Sequence, residues 1–123
     1  MKLLLDTHTF LWAISDPDRI PEHQRDQIKQ LANTVYISAV SVAEIMIKAS
    51  IGKIDFPFDA NEQIAAAGFL PLDFSGGDAT RLRELPFHHR DPFDRMLISQ
   101  AIERNLFIVT QDQAFKHYSC QLI

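Results

Sequence analysis

The sequence predicts an α/β fold: a three-layer α/β/α sandwich around a central, mainly parallel sheet of four to five strands. Short apolar and β-branched runs alternate with stretches of helical periodicity, as in parallel strands joined by helical crossovers. The strand-like runs are continuously apolar, which is typical of strands covered on both faces. With 123 residues, 46% of them hydrophobic, the chain has the size of one domain, residues 1–123.

Local signals place the elements in order. Apolar runs predict strands at 3–5, 35–39, 69–74, 107–110 and 120–123. Periodicity, capping residues and glycine or proline stops predict helices at about 10–14, 21–33, 41–51, 59–67, 78–85, 92–104 and 111–117. In the helix of residues 21–33, we expect Ile28, Leu31 and Ala32 to face inward.

Composition excludes some classes of protein. The net charge of −4 argues against a protein that grips nucleic acid through a broad basic surface, but not against an enzyme that cuts it. Cys120 is the only cysteine, so no internal disulfide can form, which fits a reducing compartment. Three leucines before Asp6 are too few for a signal peptide, and no run is long enough to span a membrane. We therefore expect a cytoplasmic protein without membrane contact.

Four acids lie where an α/β sheet gathers its ligands. Asp6 closes the first strand, Glu44 lies just past the second, Asp94 begins the long helix, and Asp112 follows the fourth strand. The carboxyl ends of parallel strands share one crevice, so these acids are expected to converge. Clustered carboxylates repel each other unless a hard cation binds them, which predicts a Mg²⁺ site for phosphate chemistry. No His-rich or Cys-rich spacing indicates zinc.

Helix capping is the competing interpretation of each acid. Ser41-Val42-Ala43-Glu44 fits a capping box, and Asp91-Pro92-Phe93-Asp94 resembles one. Asp6 can cap the first helix, and Thr110 can cap the helix that carries Asp112. An acid near a helix N-terminus contributes roughly 0.3–1 kcal/mol. Capping does not require a carboxylate at all four positions, and it does not explain an acid at a buried strand end.

In order and spacing, four motifs match a known family. The chain resembles a PIN domain of the VapC-like toxin type, the ribonuclease of a type II toxin–antitoxin system. The matching segments are Leu4-Leu5-Asp6-Thr7-His8, Ser41-Val42-Ala43-Glu44-Ile45, His89-Arg90-Asp91-Pro92-Phe93-Asp94-Arg95-Met96-Leu97-Ile98-Ser99-Gln100-Ala101 and Val109-Thr110-Gln111-Asp112. The resemblance runs essentially end to end, and Asp-Pro-Phe-Asp-Arg is its most specific piece.

The resemblance implies a PIN-like nuclease domain and a Mg²⁺- or Mn²⁺-dependent endoribonuclease. The acidic site carried onto this chain is Asp6, Glu44, Asp94 and Asp112. Asp6 and Asp94 are the expected primary metal ligands, Glu44 binds metal or positions water, and Asp112 completes the cluster through water. Asp91 is interpreted mainly as a helix N-cap. Thr7, Ser41 and Thr110 are hydroxyl residues that can orient water.

The resemblance also implies partners: an RNA substrate, a cognate antitoxin and a homodimer mate. The first helix is apolar nearly all round, with Phe10 and Trp12, so part of it is expected to cover a partner. Lys48, Arg90 and Arg95 are candidates to hold the RNA backbone, although Lys48 is spaced for a salt pair with Glu44.

Two other classes of protein remain open. One is a non-catalytic PIN-like metal- or RNA-binding module, or a housekeeping RNA-processing nuclease. The other is a phosphate-accepting receiver domain, which also gathers acids at strand ends. A receiver pairs adjacent acids after its first strand, whereas Asp6 is followed by Thr7, and no lysine follows Thr110 until Lys116. The sequence therefore favours the nuclease.

Overall fold

The computed structural model describes all 123 residues and contains five strands and six α-helices. The strands are Lys2–Leu5 (β1), Thr34–Ser38 (β2), Leu70–Leu72 (β3), Phe107–Val109 (β4) and Gln121–Leu122 (β5). The helices are Thr7–Ser15 (α1), Glu22–Lys29 (α2), Ala39–Ser50 (α3), Ala60–Ala66 (α4), Gly76–Thr80 (α5) and Pro92–Arg104 (α6). Short 3₁₀ turns cover Pro17–Arg19, Arg81–Glu84 and Gln113–His117.

All strand pairs are parallel, and the order across the sheet is β3-β2-β1-β4-β5. Leu3 pairs with Val35 on one side and with Phe107 on the other, so β1 is the central strand. The chain runs outward from β1 to β3 and then crosses to β4. The strand order therefore reverses beside β1, and a crevice opens at this point in open parallel sheets. The predicted α/β fold with a parallel sheet is confirmed.

The core lies on both faces of the sheet because side chains alternate along each strand. Leu4 and Ile108 face α6, where Leu97, Ile98 and Ala101 are buried with them. The opposite face buries the side chains of Leu3, Leu5, Phe10, Ile37, Ile45, Ile64 and Val109. Phe10, Ile45 and Ile64 of this second set belong to α1, α3 and α4, which pack on this face. Helices therefore bury both faces of the sheet and hold the strand ends in fixed positions.

Some predicted boundaries and two predicted core residues were wrong. The helix predicted at 21–33 ends at Lys29, because the Asn33 amide donates to the Gln27 carbonyl oxygen at 3.0 Å and turns the chain toward β2. Leu31 and Ala32 are therefore in the connection and exposed, although both were expected to face inward. The third strand is shorter than predicted, and Pro71 lies in it at the sheet edge, where a proline removes no inner ladder bond.

The helices are short. The longest, α6, has 13 residues, and none combines the length with the hydropathy that crossing a bilayer requires.

Candidate metal centre at the sheet edge

Four acidic side chains converge at the carboxyl-terminal edge of the sheet. Asp6 follows β1 directly, and two residues separate Asp112 from the end of β4. Glu44 lies in the second turn of α3 and Asp94 in the first turn of α6. The negative charges of Asp6 and Glu44 both act on Asp94, which places all three in one electrostatic environment.

Asp6 is buried and its two carboxylate oxygens have different partners. Oδ1 accepts a hydrogen bond from the Thr9 backbone N–H at 2.8 Å, so Asp6 is the N-cap of α1, as the capping interpretation predicted. Oδ2 accepts from the Thr110 hydroxyl at 2.6 Å. The Thr110 oxygen in turn accepts from the Asp112 backbone N–H at 3.1 Å. Thr110 therefore links the two acids and does not cap a helix.

Glu44 is buried but plays no capping role, so the predicted capping box was wrong. The N-cap of α3 is Ser38, whose hydroxyl oxygen accepts from the Val40 N–H, because the helix begins earlier than predicted. Glu44 Oε2 pairs with Lys48 one turn later, and this hydrogen bond raises the pKa of the Lys48 ammonium. Glu44 Oε1 is buried with no hydrogen-bond partner. A buried orphan oxygen of this kind is costly unless it receives a ligand.

The pKa of the Asp94 carboxyl lies far above its ordinary value. Burial and then the negative charge of Asp91 raise the pKa of the Asp94 carboxyl to about 7, with smaller contributions from Asp6 and Glu44. Its Oδ2 lies 3.1 Å from His89 Nε2. Such an acid binds either a proton or a cation near neutral pH, which is typical of functional sites.

Asp91 is the N-cap of α6, as predicted. Its Oδ1 accepts from the backbone N–H groups of Phe93 and Asp94, at 2.8 and 3.1 Å. Pro92 follows in the first helical turn. The reciprocal half of a capping box is missing, because the Asp91 N–H donates to His89 Nδ1 and not to Asp94.

Asp112 is more exposed than the other acids. Its Oδ1 accepts from the Ala114 N–H at 2.9 Å, which makes it the N-cap of the 3₁₀ turn Gln113–His117. Although partial burial opposes ionisation, this N–H and the nearby His89 hold the pKa of Asp112 below its ordinary value. Asp112 therefore stays charged at the entrance to the cluster.

His89 is a member of the cluster, although from the sequence it was interpreted as a solvated loop histidine beside the site. Its Nε2 lies 2.8 Å from Asp112 Oδ2, and one atom each from His89, Asp94 and Asp112 lie within 4.8 Å of one another. Loop histidines are usually solvated, so residue type alone gave no signal. The useful signal was its position two residues before an N-cap, where Nδ1 can accept from the N-cap N–H.

The hydroxyl and basic candidates have mixed outcomes. The Thr7 hydroxyl donates to the Ser41 hydroxyl at 3.0 Å in the interior, which joins α1 to α3. Arg95 is buried and donates to the carbonyl oxygens of Leu85 and Pro86, so the expectation that it holds RNA was wrong. Arg90 is exposed on the loop before α6.

A well-formed cleft lies elsewhere in the protein. It has a volume of about 610 Å³ and its lining includes Ile20, Ile28, Thr34 and Leu70. Thr34 and Leu70 begin β2 and β3, so this cleft opens at the amino-terminal edge of the sheet. None of the clustered acids lines this cleft. We place the chemistry at the acids because the carboxyl groups with shifted pKa values are there.

The fold and the cluster define an α/β protein with a carboxylate-rich crevice beside its central strand. The family model of the PIN domain matches residues 3–119, and the chain belongs to the PIN domain family. A comparison with curated protein sequences found no significant match.

Solved structures with the same fold include three complexes named VapBC. VapBC2 from Rickettsia felis, bound to a promoter DNA fragment, is similar with a TM-score of 0.72 and 24% identity over 100% of this chain and 98% of that chain. DNA-bound VapBC from Salmonella typhimurium has a TM-score of 0.69 and 19% identity, over 100% of this chain and 97% of that chain. VapBC-1 from nontypeable Haemophilus influenzae has a TM-score of 0.63 and 16% identity, over 100% of this chain and 97% of that chain. At these identities the likeness establishes the fold.

Proposed function

We propose that residues 1–123 form a single nuclease domain that hydrolyses RNA phosphodiester bonds with Mg²⁺ or Mn²⁺, as the toxin of a toxin–antitoxin pair. The observation that carries the proposal is the convergence of Asp6, Glu44, Asp94 and Asp112 at the reversal point of the sheet. Family membership and the fold of the VapBC structures support it.

The residues fit a hard divalent cation. Glu44 Oε1 is a buried oxygen without a partner, and burial together with the neighbouring carboxylates raises the pKa of Asp94. Both penalties vanish when a cation replaces the missing donor or the proton, and oxygen-only ligands suit Mg²⁺ and Mn²⁺. We assign Asp6 and Asp94 as primary ligands, with Glu44 and Asp112 contacting the cation directly or through water.

A bound divalent cation would supply Lewis-acid activation of water and neutralise charge on the phosphodiester. The chain's own residues prepare the place. Thr9 and Thr110 fix both oxygens of Asp6, so this carboxylate cannot rotate. The N-termini of α1 and α6 lie at the same edge, and their partial positive charge favours both the acids and an incoming phosphate. The site is therefore preorganised to hold the carboxylates in place and to accept a substrate phosphate beside them.

Partner binding is part of the same proposal. The neighbouring structures named VapBC and FitAB are complexes, which supports a cognate antitoxin for this chain. Phe10 is fully buried in the core, so it is not available to a partner, whereas Trp12 is half-buried with Arg19 stacked over its ring at 5.3 Å. We retain an antitoxin and a homodimer mate as proposed partners, with Trp12 as the accessible part of α1.

The test is cleavage of single-stranded RNA by the full chain with Mg²⁺ or Mn²⁺. We expect cleavage to disappear with a chelator and in Asp6→Asn, because this change removes one charge from the cluster while the amide oxygen still accepts the Thr9 N–H. Asp26→Asn is the matched control, since Asp26 is an exposed acid outside the cluster. Equal cleavage by wild type and Asp6→Asn would reject the nuclease site. Metal binding without cleavage would favour the non-catalytic module.

Phe87 gives a prediction about the RNA contact. Its ring is 84% exposed, and its inner face packs on the Arg95 guanidinium at 4.0 Å. It lies two residues from His89, about 7 Å along an extended chain. We expect Phe87→Ala to raise the KM for single-stranded RNA by roughly tenfold with kcat unchanged, because an exposed ring next to the cluster can stack on a base. Phe87→Trp should preserve KM; an unchanged KM in Phe87→Ala would exclude stacking.

A further inference from the structure

The two ring nitrogens of His89 have opposite surroundings. Nδ1 lies 3.1 Å from the backbone nitrogen of Asp91, which can only donate. Nε2 lies 2.8 Å from Asp112 Oδ2 and 3.1 Å from Asp94 Oδ2, which can only accept when ionised. The Asp91 N–H therefore requires a bare Nδ1, and the neutral ring carries its proton on Nε2, between the two carboxylates.

The ring is fixed by contacts that do not involve the acids. The His89 backbone N–H donates to the Tyr118 hydroxyl at 2.8 Å, and the edge of the ring packs on Phe115 with centroids 5.7 Å apart. Arg95 holds the same loop by donating to the Pro86 carbonyl oxygen at 2.7 Å. The loop therefore presents the imidazole to the carboxylates in one orientation.

We infer that His89 is a positioning residue, whose Nε2–H orients Asp112 by a hydrogen bond and lies against Asp94, and that the imidazole is not itself a metal ligand. As a ligand, Nε2 would have to offer a lone pair, which would move the proton to Nδ1 and set it against the Asp91 N–H. As a donor, it is hydrogen-bonded to Oδ2 of Asp112, and Oδ2 of Asp94 lies 3.1 Å from the same nitrogen, which leaves Oδ1 of Asp94 for the cation. Outer hydrogen bonds of this kind orient ligands in many metal sites.

Cation affinities separate the two roles. We would titrate the metal-free full chain with Mn²⁺ and with Mg²⁺ by calorimetry, in wild type, His89→Ala and His89→Gln. A positioning donor predicts that His89→Ala lowers the affinity for both cations by the same factor, about tenfold or more. It also predicts that His89→Gln, whose amide N–H reaches the place of Nε2, recovers most of that loss for both. An imidazole ligand predicts instead a selective loss of Mn²⁺ in both variants, because Mn²⁺ accepts nitrogen more readily than Mg²⁺ does.

The tautomer gives an independent readout. Nitrogen-detected NMR of the metal-free wild type should show the His89 proton on Nε2; a proton on Nδ1 would overturn the inference. His88→Ala is the matched control, because His88 is the neighbouring loop histidine and its ring contacts Tyr118 and His117, not the acids. It should bind both cations as wild type does, and unchanged affinities in His89→Ala would also overturn the inference.

The inference rests on the proposed cation site, and only its activity readout rests on the proposed nuclease reaction. At saturating Mg²⁺, we expect His89→Ala to lower kcat for RNA with little change in KM, since the donor orients the cation's ligands and does not touch RNA. A wild-type protein that binds Mn²⁺ but cuts no RNA would reject the nuclease and leave the affinity test intact. A wild type that cuts RNA, with an unaffected His89→Ala, would reject the positioning role alone.

Discussion

Replacing Asp94 with asparagine is expected to reduce RNA cleavage severely and, in the same protein, to raise the stability of the metal-free fold. Cleavage should fall by about 10²–10³-fold or more, because the change removes a charged group that the proposed reaction needs. Stability should rise because burial and the charge of Asp91 oppose ionisation of this carboxyl and raise its pKa to about 7. Activity and stability are therefore expected to change in opposite directions.

The pH dependence follows from the same pKa. The ordinary value is 3.8, so between about pH 4 and pH 7 the folded state keeps a proton on Asp94 that the unfolded state has lost. The folded state then binds more protons, and the free energy of unfolding falls as pH rises through this range. The penalty is fully present above about pH 7. Since the side chain is 21% exposed, we expect a penalty on the order of 1–2 kcal/mol at pH 8.

Thermal unfolding of metal-free wild type and Asp94→Asn at pH 5 and pH 8 measures this effect. Wild type should lose more stability than the variant between the two pH values, and Mg²⁺ at pH 8 should stabilise wild type more than the variant. Asp26→Asn controls for removal of a surface charge and should follow wild type. Parallel pH profiles for wild type and Asp94→Asn would show that the carboxyl carries no electrostatic strain.

The sequence was sufficient for the parts of the site that depend on topology. Asp6 and Asp112 follow strands, and parallel strands end at one edge, so their approach followed from the strand assignment alone. The N-cap role of Asp91 was also predictable, because a cap depends on residues adjacent in the chain. The topology of the sheet alone determined the first result, and the local N-cap pattern alone determined the second.

Prediction failed where distant contacts decide the outcome. Ser41 fits a capping pattern, but Ser38 ends the strand at a point where the helix can begin earlier. Arg95 looked like an exposed cation, yet its guanidinium satisfies loop carbonyl groups that have no pattern in the sequence. His89 enters the cluster because Tyr118, from 29 residues away, anchors its backbone. The contacts of Arg95 with loop carbonyl groups and of Tyr118 with the His89 backbone have no sequence spacing that could be recognised in advance.

Asp78 shows that a buried acid need not belong to the site. Its side chain is fully buried and accepts from the Arg104 guanidinium at 2.9 and 3.0 Å, from the Ser75 N–H at 2.8 Å and from the Gln100 amide at 3.2 Å. Although burial opposes ionisation, Arg104 and Ser75 hold the pKa of Asp78 below its ordinary value. This carboxylate is satisfied by donors from α5 and α6, so it has no need of a cation.

We expect Asp78→Ala to destabilise the fold by about 3 kcal/mol at pH 7, which is roughly 10 °C in Tm. The variant leaves the Ser75 and Gln100 donors without their acceptor, and it removes the charge that Arg104 neutralises. Because the folded pKa lies below the unfolded value of 3.8, this stabilisation is present above about pH 4 and is lost as pH falls through the folded pKa. The difference in the free energy of unfolding between wild type and Asp78→Ala should therefore become smaller at acidic pH.

Glu103→Gln is the matched control, because Glu103 pairs with Arg81 across the same contact between α6 and the segment after α5. That pair is exposed on both sides, 41% for Arg81 and 38% for Glu103, so breaking it should cost under about 1 kcal/mol. Denaturant unfolding of the three proteins at pH 7 and pH 3 measures the comparison. Equal destabilisation by the two variants would mean that burial of Asp78 adds nothing. Asp78→Ala should also bind Mn²⁺ as wild type does while it remains folded, which Asp94→Asn should not.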